Sequence, residues 1–221
     1  MRQAGFVRPP PFAPGMRIGL FGGTFDPPHA AHVHVSEVAL RRLGLDRIWW
    51  IVTPGNPLKT HDGLTPLAER IRQARALVHD PRIVVTDIEA RIGTRYTFDT
   101  LQWLTARCPG VQFVWIMGAD ILAQLHRWQR WRDITKLVPF AVIDRPGATF
   151  AATASPAAQA LARWRLKEQE ASGLTDTAAP AFAILHGKRL DLSSTMLRKQ
   201  RARVDQASAS AEETGKSPPR D

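Results

Sequence analysis

Two histidines, three residues apart, are the residues of this sequence best suited to chemistry. His29 and His32 lie at the start of a segment, residues 30–43, that the pattern predicts to be a helix. This spacing places both imidazoles on one face of the first helical turn. The start of a helix also offers free N–H groups and a positive partial charge. Together these features suit an anionic ligand, above all a triphosphate.

The residues before the histidines favour the same interpretation. An apolar run at residues 16–21 predicts a strand, and the glycines that follow it let the backbone approach a ligand closely. We therefore expect this turn to bind a triphosphate. Its candidate triphosphate-binding residues are Gly22, Gly23, Thr24, Phe25, His29 and His32.

A metal site is the alternative for the same turn. Zinc sites use histidines at short spacing, and His34 or Asp26 could assist. A closed zinc site needs four ligands, however, and no cysteine lies nearby to supply them. We therefore favour phosphate over metal and expect no metal site built from protein ligands.

A second candidate phosphate-binding segment lies near the other end of the chain. Ser193 or Ser194 is a suitable N-cap for a helix predicted over residues 194–203. Arg198 would project from the second turn of that helix. Taken alone, this pattern is equally typical of a capped surface helix with an exposed arginine.

The chain alternates predicted strands and helices, which favours an α/β fold: a Rossmann-like, doubly wound parallel sheet with helices on both faces. The predicted strands are 16–21, 47–53, 82–88, 111–117, 139–144 and 182–185. The predicted helices are 30–43, 66–79, 97–107, 119–126, 156–170 and 194–203. In such sheets, ligands bind beyond the carboxyl ends of the strands, where the strand order switches. Gly118 and Asp120 follow the fourth strand, so they would flank one crevice with the glycine pair if strands one and four are neighbours.

The ends of the chain differ in composition from the rest. Residues 1–15 are rich in proline and predict a disordered arm. Residues 204–221 are small and polar and predict a disordered tail. One domain over residues 16–203 remains between them. Within it, Leu161, Trp164 and Leu166 are expected to face inward from the helix predicted at 156–170.

Bulk composition restricts the class of protein. Apolar residues make up 44% of the 221 residues, which is enough for a sizeable core. The net charge is +10, but the basic residues are scattered, so we expect small anionic substrates rather than a nucleic acid. No apolar run of about 18 residues predicts a membrane span. The single cysteine, Cys108, and the absence of a signal-like N-terminus predict a cytoplasmic protein. The oligomeric state is not predictable.

The first motif resembles the G-x-F-x-P-x-H-x-G-H signature of the nucleotidyltransferases related to class I aminoacyl-tRNA synthetases, with Ala31 in place of the usual glycine. Five later elements narrow the resemblance to the bacterial nicotinate-nucleotide adenylyltransferases, with Arg95 in place of a usual serine. These elements are residues 54–59, 95–100, 118–128, 145–147 and 192–198. The resemblance covers about residues 16–203, and the combination is far more specific than any later element alone.

The resemblance implies adenylyl transfer from ATP to nicotinate mononucleotide, with Mg²⁺ accompanying the ATP. The implied catalytic residues are His29, His32 and Arg198. Further ATP contacts are implied for Gly118, Asp120, Ser193, Ser194 and Thr195. Mononucleotide contacts are implied for Lys59, Tyr96, Thr97 and Trp128. Two alternatives remain open: a pantetheine-phosphate adenylyltransferase, which shares the first and last motifs, and a basic nucleic-acid-binding protein with the same fold.

Overall fold

The computed structural model describes residues 7–55, 63–144 and 149–187, with the backbone alone at 149 and 150. Its strands are β1 Arg17–Gly23, β2 Arg47–Val52, β3 Ile83–Thr86, β4 Gln112–Gly118, β5 Phe140–Ile143 and β6 Phe182–Leu185. All pair in parallel, in the order β3-β2-β1-β4-β5-β6. The predicted doubly wound α/β class is confirmed, and the six predicted strands are present.

Helices connect these strands. They are α1 Ala30–Arg42, α2 Leu67–Leu77, α3 Ile88–Ile92, α4 Thr97–Arg107, α5 Ala119–Gln124, α6 Trp131–Leu137, α7 Thr149–Thr153 and α8 Pro156–Ala160. Short 3₁₀ segments occur at Leu125–Arg127, Ala162–Trp164 and Glu168–Asp176. No helix among the described residues is long and apolar enough to cross a bilayer.

The central strand β1 lies at the point where the strand order reverses. It pairs with β2 on one side, where Gly22 is opposite Ile51, and with β4 on the other, where Phe21 is opposite Ile116. The crossover connections therefore run in opposite directions from this pair, which opens a crevice at the carboxyl ends of β1 and β4. Strands one and four are thus neighbours, as is required for Gly118, Asp120 and the glycine pair to flank one crevice.

The sheet is covered on both faces, because side chains alternate along each strand. The adjacent tryptophans of β2 illustrate this: Trp49 belongs to one apolar cluster and Trp50 to the other. Both side chains are fully buried. The helices on the two faces thus hold the ends of β1 and β4 in fixed positions.

The prediction of a long helix at residues 156–170 is wrong. Only α8 is α-helical there, because residues 165 and 166 pair with the edge strand β6 instead. Arg165 forms a parallel bridge with Phe182, and the Leu166 N–H donates to the Phe182 carbonyl at 2.8 Å. The inward direction of the apolar side chains is nevertheless as expected, since Leu161 is buried and Trp164 and Leu166 pack against the core.

The sequence pattern also missed the short helices α3 and α6. The strand predicted at residues 82–88 ends at Thr86, whose hydroxyl accepts the Ile88 N–H at 3.2 Å and turns the chain into α3. Five to seven residues give too few turns for a helical apolar pattern to stand out.

The proline-rich arm differs from the disordered segment that its composition predicts. Val7 and Phe12 pack against the core, and Arg47 donates to the Pro11 carbonyl at 2.9 Å. The Gly15 N–H donates to the Gly110 carbonyl at 2.7 Å. Residues 7–15 are therefore part of the folded domain. Residues 1–6, the predicted helix 194–203 and the tail 204–221 lie outside the described residues.

Candidate active site

A cavity of about 500 Å³ opens at the carboxyl ends of β1 and β4. Two groups of residues contribute to its lining. The histidine wall is the turn from Gly22 to His32. The tryptophan wall consists of residues 94–100, which lead into α4, and Trp128. Leu20, Trp115 and Met117 line the floor between them.

Gly22 leaves the histidine wall open to a ligand. A Cβ built at this position would meet no described protein atom within 4 Å, although the residue lines the cavity. The glycine is therefore not required by the packing of the protein itself, and the exposed backbone is available to a bound group. Three residues later, Phe25 adopts a left-handed conformation, with φ of 48°. This turns the chain sharply toward α1.

The two histidine rings lie against each other at the start of α1, tilted by 41°. Their ring centroids lie 3.9 Å apart, and both side chains are buried. The His29 backbone N–H donates to Nδ1 of His32 at 3.1 Å. Because Nδ1 accepts, this hydrogen bond assigns the proton of the neutral imidazole to Nε2. His32, which lines the cavity, thus carries a donor that can serve an anionic ligand.

An aromatic stack supports the His32 ring. The ring centroid of Phe25 lies 4.7 Å from that of His32. It lies 4.8 Å from that of Trp50, on which the Phe25 ring stacks. The Trp50 Nε1–H donates to the Ser36 hydroxyl at 2.7 Å, and that hydroxyl donates to the His32 carbonyl at 2.9 Å. The ring and the backbone of His32 are therefore both held by buried groups.

Arg70 is a buried cation that fastens the histidine wall to the sheet. Its guanidinium donates to the carbonyls of Thr24 at 2.6 Å and Thr53 at 2.8 Å, and its Nε to the carbonyl of Thr65 at 2.7 Å. Burial lowers the pKa of this guanidinium, and the nearby Asp26 carboxylate opposes that shift. One side chain of α2 thus joins the turns after β1 and β2.

The tryptophan wall presents the start of α4. Tyr96 is the N-cap residue and is 41% exposed. The first N–H groups of a helix have no partner within the helix, so those at the start of α4 can receive an anion. Tyr96, Thr97 and Thr100 all line the cavity.

Trp128 completes this wall. Its ring lies 5.6 Å from Trp115, at 49°. Two residues further on, the Arg130 guanidinium lies 3.5 Å from the centroid of Phe98, in the first turn of α4. This cation–π contact ties the segment after Trp128 to the helix start, so the indole and the α4 N-terminus keep a fixed spacing.

Glu89 is a buried carboxyl in the cavity lining. Its Oε1 accepts the Thr100 hydroxyl at 3.0 Å, and its backbone carbonyl accepts the Thr94 N–H at 3.0 Å. Burial raises the pKa of Glu89, while hydrogen bonds from the Thr53 and Thr100 side chains oppose that shift. The carboxyl therefore gains a proton more readily than an exposed glutamate.

Comparison with known proteins identifies the family. A model described as cytidylyltransferase-like matches residues 20–200. A probable nicotinate-nucleotide adenylyltransferase of Methylorubrum extorquens is 60% identical over 183 residues, which cover 83% of this chain and 99% of that relative. One from a Bradyrhizobium species is 58% identical, covering 83% and 95%. The chain belongs to the nicotinate-nucleotide adenylyltransferase family.

A solved structure shares the fold of this family member. It is the Plasmodium falciparum nicotinic acid mononucleotide adenylyltransferase complexed with NaAD, with a TM-score of 0.64, 18% identity and 83% of each chain covered. At that identity the similarity shows the fold alone.

The structure brings most of the site residues implied by the family pattern around one cavity. They are Gly22, Gly23, Thr24, Phe25, His32, Tyr96, Thr97, Gly118, Asp120 and Trp128. His29 is not among the lining residues in the described part of the chain, and it contacts the site through the His32 ring. Lys59, Ser193, Ser194, Thr195 and Arg198 lie outside the described residues, as do residues 145–147, so their roles stay predictions.

The sequence-based search missed Arg70 and Glu89. A signal existed for Arg70, because a charged residue between Leu67 and Ala74 falls on the apolar stripe of a helix. No comparable signal existed for Glu89, since the strand predicted at 82–88 concealed the helix that carries it. Among the described residues, no three His, Cys, Asp or Glu side chains group closely enough to hold a metal ion.

Proposed function

We propose that the protein transfers the adenylyl group of ATP to nicotinate mononucleotide, giving nicotinate adenine dinucleotide and pyrophosphate, a step of NAD biosynthesis. The observation that carries this proposal is that one cavity is lined both by the turn that leads to His32 and by the start of α4 with Trp128. The 60% identity to a probable nicotinate-nucleotide adenylyltransferase supports the same assignment.

The proposed chemistry needs no base and no covalent intermediate. A phosphate oxygen of the mononucleotide, already anionic at neutral pH, attacks the α-phosphorus of ATP. A new P–O bond forms while the bond from the α-phosphorus to the bridging oxygen of the leaving pyrophosphate breaks. Catalysis then rests on positioning and on stabilising the charge that builds up on the phosphate oxygens.

The histidine wall supplies the groups for this stabilisation. The Nε2–H of His32 donates to an α-phosphate oxygen, and His29 holds the His32 imidazole in that tautomer through its backbone N–H. The exposed backbone at Gly22 gives the triphosphate a close approach. Arg198 and the hydroxyls of Ser193, Ser194 and Thr195 bind the β- and γ-phosphates. Gly118 and Asp120 contact the adenosine moiety.

The tryptophan wall receives the acceptor. The indole of Trp128 stacks on the pyridine ring, and the backbone N–H groups at Tyr96 and Thr97 bind the carboxylate. Lys59 neutralises the mononucleotide phosphate. Mg²⁺ would accompany ATP, held mainly by the phosphates of the substrate rather than by protein side chains, and would offset their negative charge.

Pyrophosphate release tests this proposal. The protein is mixed with Mg²⁺–ATP and, in separate reactions, nicotinate mononucleotide, nicotinamide mononucleotide or phosphopantetheine. We expect the fastest release with nicotinate mononucleotide, by at least about tenfold over the amide, because buried donors facing an amide are left poorly paired.

Release with phosphopantetheine alone would assign the protein to the pantetheine-phosphate branch. Salt-sensitive retention of DNA or RNA, with no pyrophosphate from any acceptor, would favour the nucleic-acid-binding alternative. Either result would contradict the proposed function.

A further inference from the structure

A chain of hydroxyl groups connects Glu89 to the loop before α4. Oγ1 of Thr100 donates to Oε1 of Glu89 at 3.0 Å, and the hydroxyls of Thr94 and Thr100 lie 3.0 Å apart. A hydroxyl carries one proton. Since the Thr100 proton is directed to Glu89, Thr94 is the donor in its contact with Thr100. The hydrogen bonds thus run from Thr94 to Thr100 to Glu89.

The same three residues hold the backbone of that loop. The Thr94 N–H donates to the Glu89 carbonyl at 3.0 Å, and the Thr100 N–H donates to the Tyr96 carbonyl at 3.2 Å. Between Thr94 and Thr100 lie Arg95, Tyr96 and Thr97, all three of which line the cavity. Their position is therefore set from both ends by contacts that converge on Glu89.

Glu89 and Thr100 lie where a shift of either side chain would affect a bound ligand. Both are buried, and both also line the cavity together with Tyr96 and Thr97. A buried hydroxyl that loses its partner relaxes toward another one, and the Tyr96 carbonyl lies only 3.3 Å from Oγ1 of Thr100. Loss of Glu89 would thus redirect Thr100 onto the residue that presents the anion-receptive groups.

We propose that Glu89, acting through Thr100, is a positioning residue that sets the preference of the acceptor pocket for a ring carboxylate over a carboxamide. This inference rests on the proposed function. A carboxylate needs two N–H donors converging on its oxygens, whereas a carboxamide presents one acceptor and a donor of its own. Displacement of the loop therefore costs the carboxylate more than the carboxamide.

The test is a double-mutant cycle read on substrate preference. Glu89→Ala, Thr100→Val and the double variant are assayed in the full chain with ATP and each of the two mononucleotides. The quantity compared is kcat/KM for nicotinate mononucleotide divided by kcat/KM for the amide. Thr100→Ser keeps the hydroxyl, and Glu37→Gln changes an exposed carboxyl on α1 to an amide as a matched control.

We expect each single variant to lower the preference about tenfold, mainly through KM for nicotinate mononucleotide, with KM for ATP unchanged. The double variant should lose no more than Glu89→Ala alone, because either change already breaks the hydrogen bond between Thr100 and Glu89. Thr100→Ser should retain the preference, and so should Glu37→Gln.

Equal losses with both mononucleotides would reduce Glu89 to a purely structural role and overturn this inference. Additive losses in the double variant would do the same. In both cases a wild-type protein that still prefers nicotinate mononucleotide leaves the proposed function intact. A wild-type protein that adenylylates neither mononucleotide would overturn both.

Discussion

The histidine wall and the tryptophan wall are held in place by different kinds of contact. Arg70 fixes the first by donating to main-chain carbonyls, and the aromatic rings of Phe25 and Trp50 pack behind His32. The second depends on a titratable carboxyl, Glu89, on hydroxyl groups and on one cation–π contact. Contacts to main-chain atoms fix a backbone path whatever the neighbouring side chains are. Contacts between side chains are open to change by substitution or pH.

This difference matches the tasks that we propose for the two walls. A triphosphate presents many equivalent oxygens and needs a fixed, cationic frame. An acceptor ring must be distinguished from a ring that differs by one functional group, which requires accurately aimed donors. We therefore expect changes at the histidine wall to affect folding and turnover, and changes at the tryptophan wall to affect preference.

The largest effect is expected from Arg70→Met. The substitution leaves the carbonyls of Thr24 and Thr53 without their buried donor and Asp26 without its nearby cation. Unfolding in urea should show a loss of about 3 kcal/mol or more in the free energy of unfolding. Arg72→Met, on the same helix but exposed, is the matched control and should change the free energy of unfolding far less. Similar losses in both variants would show that Arg70 does not fasten the histidine wall to the sheet.

The next effect concerns Arg198, which lies outside the described residues. Arg198→Ala should raise KM for ATP about tenfold or more, because a charge-assisted hydrogen bond to phosphate is lost. Arg198→Lys should restore binding only in part, since an ammonium cannot form the bidentate contact. Wild-type kinetics in both variants would show that this arginine only caps a surface helix.

Glu89 gives a pH-dependent prediction for the tryptophan wall. Its pKa is raised in the folded protein above the ordinary value of 4.5, so the folded state binds the proton more tightly than the unfolded state. The resulting stability is fully present below pH 4.5 and falls as the pH rises through the raised pKa, by up to about 1.4 kcal/mol per pH unit. Urea unfolding of Glu89→Gln across this range should lack that fall. If the free energy of unfolding changed with pH in the same way in both proteins, the pKa of Glu89 would not be raised by folding.

The smallest effect is expected from Arg130→Gln. The variant removes the cation–π contact with Phe98 and should lower the free energy of unfolding by about 0.5–1 kcal/mol. Asp133→Asn removes the ion pairs of Asp133 with Arg130 and Lys136 but keeps the cation–π contact, and it should have less effect because all three side chains are largely exposed. A larger loss for Asp133→Asn would assign the stabilisation to the ion pair.

The sequence predicted the histidine wall better than the tryptophan wall. Short-range patterns, a strand followed by a glycine pair and a helix start, determine where Gly22 and His32 lie. The neighbouring positions of β1 and β4 then followed from the rules for doubly wound sheets. These features are local or topological, so one sequence suffices to predict them.

The supporting contacts were not predictable in the same way. Arg70 reaches the Thr24 carbonyl across 46 positions of the chain, and the Arg130–Phe98 contact joins two separate helices. The apolar stripe of α2 indicates that Arg70 is buried, but it does not identify the carbonyls that Arg70 reaches, and no periodic pattern marks the Arg130–Phe98 pair. The failed helix at 156–170 has the same origin, since a tertiary bridge to Phe182 overrides the local helical preference. The predicted tail 204–221 and the roles of Lys59 and residues 193–198 remain predictions.

The steady-state kinetics of two variants, one in each wall, test most directly whether the two walls have separate tasks. His32→Ala and Trp128→Ala are assayed over full concentration ranges of ATP and nicotinate mononucleotide, with His79→Ala, which is exposed and does not line the cavity, as a control. We predict that His32→Ala lowers kcat about a hundredfold with little change in KM for the mononucleotide. Trp128→Ala should raise that KM and leave KM for ATP unchanged. If the two variants instead changed kcat and both KM values alike, the two walls would not have separate tasks in binding and catalysis.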